Sequence, residues 1–91
     1  MEVRLYATLR QIAKTRSVEL MTSPGDTIGD VLHSLVERFP ALTPSVFHED
    51  GTLAGHVAVI LEGRDIRHLD GVKTPLDHAE RVDIFPPVGG G

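Results

Sequence analysis

Thr27-Ile28-Gly29-Asp30-Val31-Leu32-His33-Ser34-Leu35-Val36-Glu37-Arg38-Phe39-Pro40 is where the hydrophobic pattern changes period. Ile28, Val31, Leu32, Leu35, Val36 and Phe39 recur at helical spacing and make one apolar stripe. Thr27 with Asp30 three residues on resembles a capping box, which fixes the helix start. Pro40 stops the helix at Phe39, because the residue before a proline is pushed out of the α region. A helix with one apolar stripe needs one apolar surface to lie on, and the flanking sequence supplies it as strands.

Upstream the period is two. Glu2-Val3-Arg4-Leu5-Tyr6-Ala7-Thr8-Leu9 alternates, which predicts a strand with Val3, Leu5 and Ala7 inward and Arg4, Tyr6 and Thr8 outward. Ser17-Val18-Glu19-Leu20-Met21 repeats the alternation after a short basic connection, so an antiparallel hairpin is expected, and Ser23-Pro24-Gly25-Asp26 then marks a turn. Downstream, residues 41–55 read as irregular, with Leu42, Val46 and Phe47 as plugs and Asp50-Gly51 as a turn. His56-Val57-Ala58-Val59-Ile60-Leu61 is nearly continuous apolar and reads as a central strand. Glu62-Gly63 turns into a short strand near Asp65-Ile66-Arg67, and Arg81-Val82-Asp83-Ile84-Phe85 is the last strand, with Val82 and Ile84 inward. The result is an α+β layer structure: a mixed sheet of four to five strands, one long helix across one face, the other face partly free.

The 91 residues make one small domain. No cysteine is present, which excludes disulfide scaffolds, thiolate metal sites and a cysteine nucleophile. Nine Lys and Arg against 13 Asp and Glu give a net charge of −4, the wrong sign for neutralising nucleic-acid phosphates. No stretch is apolar for long enough to span a membrane and the first residues lack a signal-peptide pattern, so the expected compartment is the cytoplasm and the expected state a monomer.

After Phe85 come Pro86-Pro87-Val88-Gly89-Gly90-Gly91. The prolines cannot donate to a ladder and favour an extended chain; the glycines have no side chains. The expected division is a folded body over 1–85 and a tail over 86–91, reaching about 20 Å when extended. Such an end can carry a carboxylate into a narrow active site on another protein, where any Cβ would collide with the walls. A carboxylate is a poor electrophile, so its chemistry needs activation, most simply as an acyl-adenylate made from ATP. Sulfur or an amine can then attack. The plainer reading is a frayed terminus.

The tail together with the strand–strand–helix–strand–strand order resembles the β-grasp (ubiquitin-like) fold, and within it the MoaD/ThiS sulfur-carrier family. The matching pieces are Val3 to Arg10, Gly25 to Leu32, Phe39-Pro40-Ala41-Leu42, Thr74-Pro75-Leu76 and, most specific, Ile84-Phe85-Pro86-Pro87-Val88 leading into Gly90-Gly91. Pro40-Ala41-Leu42, Val46-Phe47, Asp50-Gly51, Leu53 and His56 are most similar to the small archaeal ubiquitin-like modifier branch; Asp65-Ile66-Arg67, Leu69 and Gly71 resemble the carriers of cysteine synthesis. The chain departs from the family pattern at Gly89, at Glu62 where Asn is commoner, and at Asp77–Arg81, which lacks a glycine.

The resemblance implies a carrier and co-substrate rather than a catalyst. Gly91 would be adenylated by an E1-like enzyme, to which the ATP and zinc belong, and converted to a thiocarboxylate, with no cofactor bound by the chain itself. The sulfur would pass to molybdenum cofactor synthesis first, the chain then acting as the small subunit beside the molybdopterin synthase large subunit, or to cysteine synthesis, thiamin or tRNA thiolation. Alternatively Gly91 would form isopeptide bonds to target lysines, removable by a JAMM-type protease. A third reading, from another class, is an adaptor that binds through its open sheet face.

Gly91 is the expected acyl donor and Gly90 the residue that must pass the channel. Pro86, Pro87, Val88 and Gly89 would direct the tail, and Tyr6 and Phe85, on the face away from the helix, are the expected partner contacts. Arg4, Arg64 and Arg67 could steer an acidic partner, though solvated surface charge is the better explanation of them. His33, His48, His56, His68 and His78 lack spacing that would put two imidazoles on one ion, so no metal site is expected. Lys14 and Lys73 are the only lysines, and Arg81 is the last trypsin site, so conjugation would leave Val82–Gly91 on a target lysine.

Overall fold

Alternation along the strands sorts the apolar side chains to one side of a sheet, and the pairing registers join them into rows. The computed structural model of the chain describes residues 1–86. Five strands, β1 (Glu2–Leu5), β2 (Ser17–Glu19), β3 (Ala58–Leu61), β4 (Arg64–Asp65) and β5 (Arg81–Phe85), form one sheet in the order β2-β1-β5-β3-β4. β1 and β5 are parallel and the other pairs antiparallel, so the sheet is mixed. Val18, Val3, Val82 and Leu61 are register partners in one buried row across four strands, and Leu5, Ile84 and Val59 make the next.

Among the described residues three α-helices accompany the sheet: α1 (Ala7–Ala13), α2 (Ile28–Arg38) and α3 (Thr43–Val46). α2 is the long helix expected from the 3.6 period. Its cap is complete, since the Asp30 N–H donates to the Thr27 hydroxyl and the Thr27 N–H to the Asp30 carboxylate at 2.8 Å. Ile28, Val31, Leu32 and Leu35 from its stripe are buried. At Gly29 a Cβ would lie 3.2 Å from the Val72 carbonyl oxygen, so the glycine lets the 3-10 turn Gly71–Lys73 approach the helix.

The structure corrects four local expectations. The first strand ends at Leu5, not Leu9: Ala7 turns the chain with φ 50°, and α1 follows, with Leu9 rather than Ala7 in the core. The "basic connection" is thus largely a helix. Residues 41–55 are less irregular than expected, because a 3-10 turn (Pro40–Leu42) and α3 occupy their first part; Leu42, Val46 and Phe47 are the expected plugs. The short fourth strand stops at Asp65, whose carboxylate accepts from the Arg67 N–H at 2.9 Å and starts a 3-10 turn over Ile66–His68. The strand running through residues 58–61 is interior, but β5 holds the centre.

Glu62 and Gly63 join β3 to β4 with φ of 49° and 84°, the paired positive values of a tight hairpin turn. A glutamate is strained there. It is held because its carboxylate accepts from the backbone N–H groups of Glu80 at 2.7 Å and Arg81 at 2.8 Å, pinning the start of β5. Those two bonds also keep the Glu62 carboxyl below its usual pKa.

Candidate functional site at the end of the central strand

β5 lies between β1 and β3, so its backbone is bonded on both sides and its side chains alternate strictly. Val82 and Ile84 face α2. Arg81, Asp83 and Phe85 therefore share the opposite face, in register with Glu2 and Arg4 of β1 and with Ile60 and Ala58 of β3. Tyr6 comes directly after the Leu5–Ile84 pair, which sets its ring on Phe85. The two centroids are 4.2 Å apart with planes 13° from parallel. This stacked pair immediately precedes Pro86, which is half-buried.

Polar groups lock the pair from beneath. The Tyr6 hydroxyl donates to Asp83 Oδ1 at 2.8 Å, and Arg81 Nε lies 3.4 Å from Asp83 Oδ2. Asp83 is only 7% exposed, so these two partners stand in for water. Arg10, one turn along α1, places its guanidinium 5.6 Å from the Tyr6 ring centroid and donates from Nε to the Leu5 carbonyl at 3.2 Å. Arg4 Nε pairs with Glu2 at 3.1 Å, and that carboxylate keeps the guanidinium pKa above its ordinary value. Phe85 remains 38% exposed, an aromatic surface inside a charged rim.

Tyr6, Phe85 and Pro86 are thus gathered at one end of β5. Pro87, Val88, Gly89, Gly90 and Gly91 lie outside the described residues. Of the three arginines considered for steering, Arg4 stands on this face. Arg64 is on the edge strand β4, and Arg67 is bound to Asp65 at 2.7 Å, which draws that carboxyl down to about 2. A cavity of about 800 Å³, lined by residues including Arg64, His68, Leu69, Leu76 and His78, sits at the opposite end of β5. His33 stacks on Phe47 at 4.8 Å, and among the described residues no three His, Cys, Asp or Glu side chains are grouped to hold a metal. The sequence pattern alone does not single out Arg10 and Asp83. Asp83 is marked only as the one carboxylate in the alternating run between two outward residues; Arg10 follows only once residues 7–13 are read as helical, four positions after Tyr6.

Residues 3–91 match the ThiS family. The chain belongs to that family. This ThiS-family chain is 40% identical over 91 residues to small archaeal modifier protein 3 of Haloferax volcanii, covering 100% of itself and 98% of the relative. It is 34% identical over 91 residues to small archaeal modifier protein 1 of the same organism, covering 100% of both. The crystal structure of SAMP1 from Haloferax volcanii superposes with a TM-score of 0.89 at 33% identity, over 99% of this chain and 97% of that one. The architecture is the ubiquitin-like β-grasp, and the family is that of small archaeal modifiers and sulfur carriers. Among the described residues no helix is long and apolar enough to cross a membrane.

Proposed function

We propose that this ThiS-family chain is a carrier of an activated carboxyl group at Gly91. An E1-like enzyme, holding ATP and zinc, adenylates Gly91 with loss of pyrophosphate. A sulfur nucleophile then displaces AMP and leaves a thiocarboxylate, which donates sulfur in the cytoplasm, to the molybdopterin synthase large subunit in the first instance. Gly90 and Gly89 let the end thread the activating site, and Pro86, Pro87 and Val88 direct it there. Tyr6 and Phe85 dock the body on the partner. The observation that carries this reading is the fixed origin of the tail: a stacked, ion-locked pair on the open face, at the end of the strand that runs into the glycines.

Intact-mass measurement of the chain co-produced with its activating enzyme, ATP and a sulfur source tests it. One oxygen should be replaced by sulfur, and no such species would defeat the sulfur-carrier reading. A second reading is favoured by the names of the two full-length relatives, both modifiers. In it the activated Gly91 passes to target lysines, and tryptic digests of native cells carry Val82–Gly91 as a branch. Removing Gly90-Gly91 should abolish either activity; an adaptor working through its sheet face alone would keep its function.

A further inference from the structure

Charge is spread unevenly along this chain. Residues 4–16 hold Arg4, Arg10, Lys14 and Arg16 and no carboxylate, so with a net charge of −4 the remainder carries −8. Folding brings the three arginines together. Arg4 from β1, Arg10 from α1 and Arg16 just ahead of β2 line one cleft of about 310 Å³ with Glu2, Tyr6 and Ser17. Arg10 is the unusual member: among the described residues it is the one lysine or arginine that is half-buried, the others being exposed. A cation drawn out of water calls for a partner. Yet among the described residues no carboxylate lies within ion-pairing distance of Arg10. Its guanidinium is held instead by the Leu5 carbonyl, which accepts from Nε at 3.2 Å, and by the Tyr6 ring, whose centroid is 5.6 Å away. Those contacts fix the group and use one of its five N–H donors.

The other two arginines complete the cleft. Arg16 is exposed, its backbone carbonyl accepts from the Leu5 N–H at 2.8 Å, and among the described residues no carboxylate pairs with its guanidinium. Arg4 gives Nε to Glu2 at 3.1 Å, and Glu2 is the one acid lining the cleft. Three guanidinium groups and one carboxylate leave this hollow at +2 in a chain of net −4. A carboxylate has two oxygens in one plane and is satisfied by a single guanidinium fork. A phosphate is tetrahedral and accepts from forks carried by several elements at once. The cleft is also at the small end of ligand sites, which favours a compact dianion.

We propose that Arg4, Arg10 and Arg16 form a binding site for a phosphate group, carried by inorganic phosphate or by a phosphate ester, with Arg10 as its anchor. The site is independent of the chemistry at Gly91. Arg10 binds first in importance, because its guanidinium is already held and loses little freedom when the ligand arrives. Arg16 brings a second, uncommitted fork. Arg4 adds charge but is shared with Glu2, so that carboxylate sets an upper limit on affinity by repelling the ligand and occupying a donor. Tyr6 lines the same cleft and stacks on Phe85, so the ligand comes to lie beside the pair at the base of the tail.

The test titrates inorganic phosphate into the full, isotope-labelled chain at neutral pH and at constant ionic strength made up with chloride, followed by the backbone and arginine Nε–H resonances. The expected result is saturable shifts confined to Arg4, Arg10, Arg16, Ser17 and their neighbours. Affinity should fall about tenfold or more in Arg10→Gln and several-fold in Arg16→Gln. It should rise several-fold in Glu2→Gln, which removes the one acid of the cleft, and stay unchanged in Arg38→Gln, at an exposed cation ending α2. Should Arg10→Gln unfold, Arg16→Gln and Glu2→Gln decide, since both residues keep their backbone bonds. Adenosine monophosphate separates the sources: inorganic phosphate binding as tightly assigns the site to the free ion, and adenosine monophosphate binding about tenfold tighter assigns it to an ester. Shifts that grow without saturating, an equal loss in Arg38→Gln, or an affinity unmoved by Arg16→Gln and Glu2→Gln overturns the site.

Discussion

Removing one oxygen from Tyr6 tests how the base of the tail is held. In Tyr6→Phe the ring still stacks on Phe85 and still lies under Arg10, so only the hydrogen bond to Asp83 is lost. A hydrogen bond to a charged group contributes about 1.5–3 kcal/mol, and one left unmade in a buried site costs at the upper part of that range. Asp83 is 7% exposed, which limits rehydration, but Arg81 at 3.4 Å keeps one oxygen partnered. The expected loss is therefore about 2 kcal/mol. For a domain of this size each kcal/mol moves Tm by roughly 4–8 °C, so Tm should fall by about 8–16 °C. Urea unfolding at neutral pH, read by circular dichroism, measures the loss directly. Combining Tyr6→Phe with Asp83→Asn should give a coupling energy of about 1 kcal/mol, since the two groups touch. A change below about 0.5 kcal/mol for Tyr6→Phe would show that water replaces the hydroxyl and that Asp83 is not locked as argued.

Phe85→Ala should leave the chain folded, because the ring is 38% exposed, yet weaken binding to the proposed activating enzyme about tenfold or more, measurable by calorimetry. Leu35→Ala, at a fully buried position of α2, should cost about 3–5 kcal/mol and leave a large unfolded fraction at 37 °C, seen in the same urea titration. Ala7→Gly should stabilise by about 0.5–1 kcal/mol, since a φ of 50° strains alanine and not glycine; a lower Tm would refute the strain. Acid should destabilise through Glu62, Asp50 and Asp65, all depressed by hydrogen bonds in the folded state, Asp65 to about 2. Their contribution is complete above the unfolded values of 4.5 and 3.8 and is lost as pH falls through the folded ones. The urea midpoint should thus hold from pH 7 to about 5 and drop between about pH 4 and 2.

The parts of this fold legible in the sequence are those set by burial on one side. The row Val18–Val3–Val82–Leu61 and the stripe Ile28–Val31–Leu32–Leu35 repeat with the period of their own backbone, and a period survives without knowledge of partners. The misreading at residues 6–9 has the same origin. Leu5 and Leu9 fit both a period of two and a spacing of four, and the choice falls to Ala7, whose positive φ carries no sequence mark. Leu9, Ile12 and Ala13 do have helical spacing, and that signal ends the strand four residues sooner. The site is legible only in outline. Phe85 and Tyr6 can be placed on one face by alternation, but the bond from Tyr6 to Asp83 joins residues 77 apart and depends on β1 lying parallel to β5, which no local pattern states. Glu62 shows the same limit more sharply. Against the hairpin turn alone it is a poor choice, and only the approach of the Glu80 and Arg81 N–H groups, brought there by the β3–β5 pairing, makes a carboxylate the residue that fits.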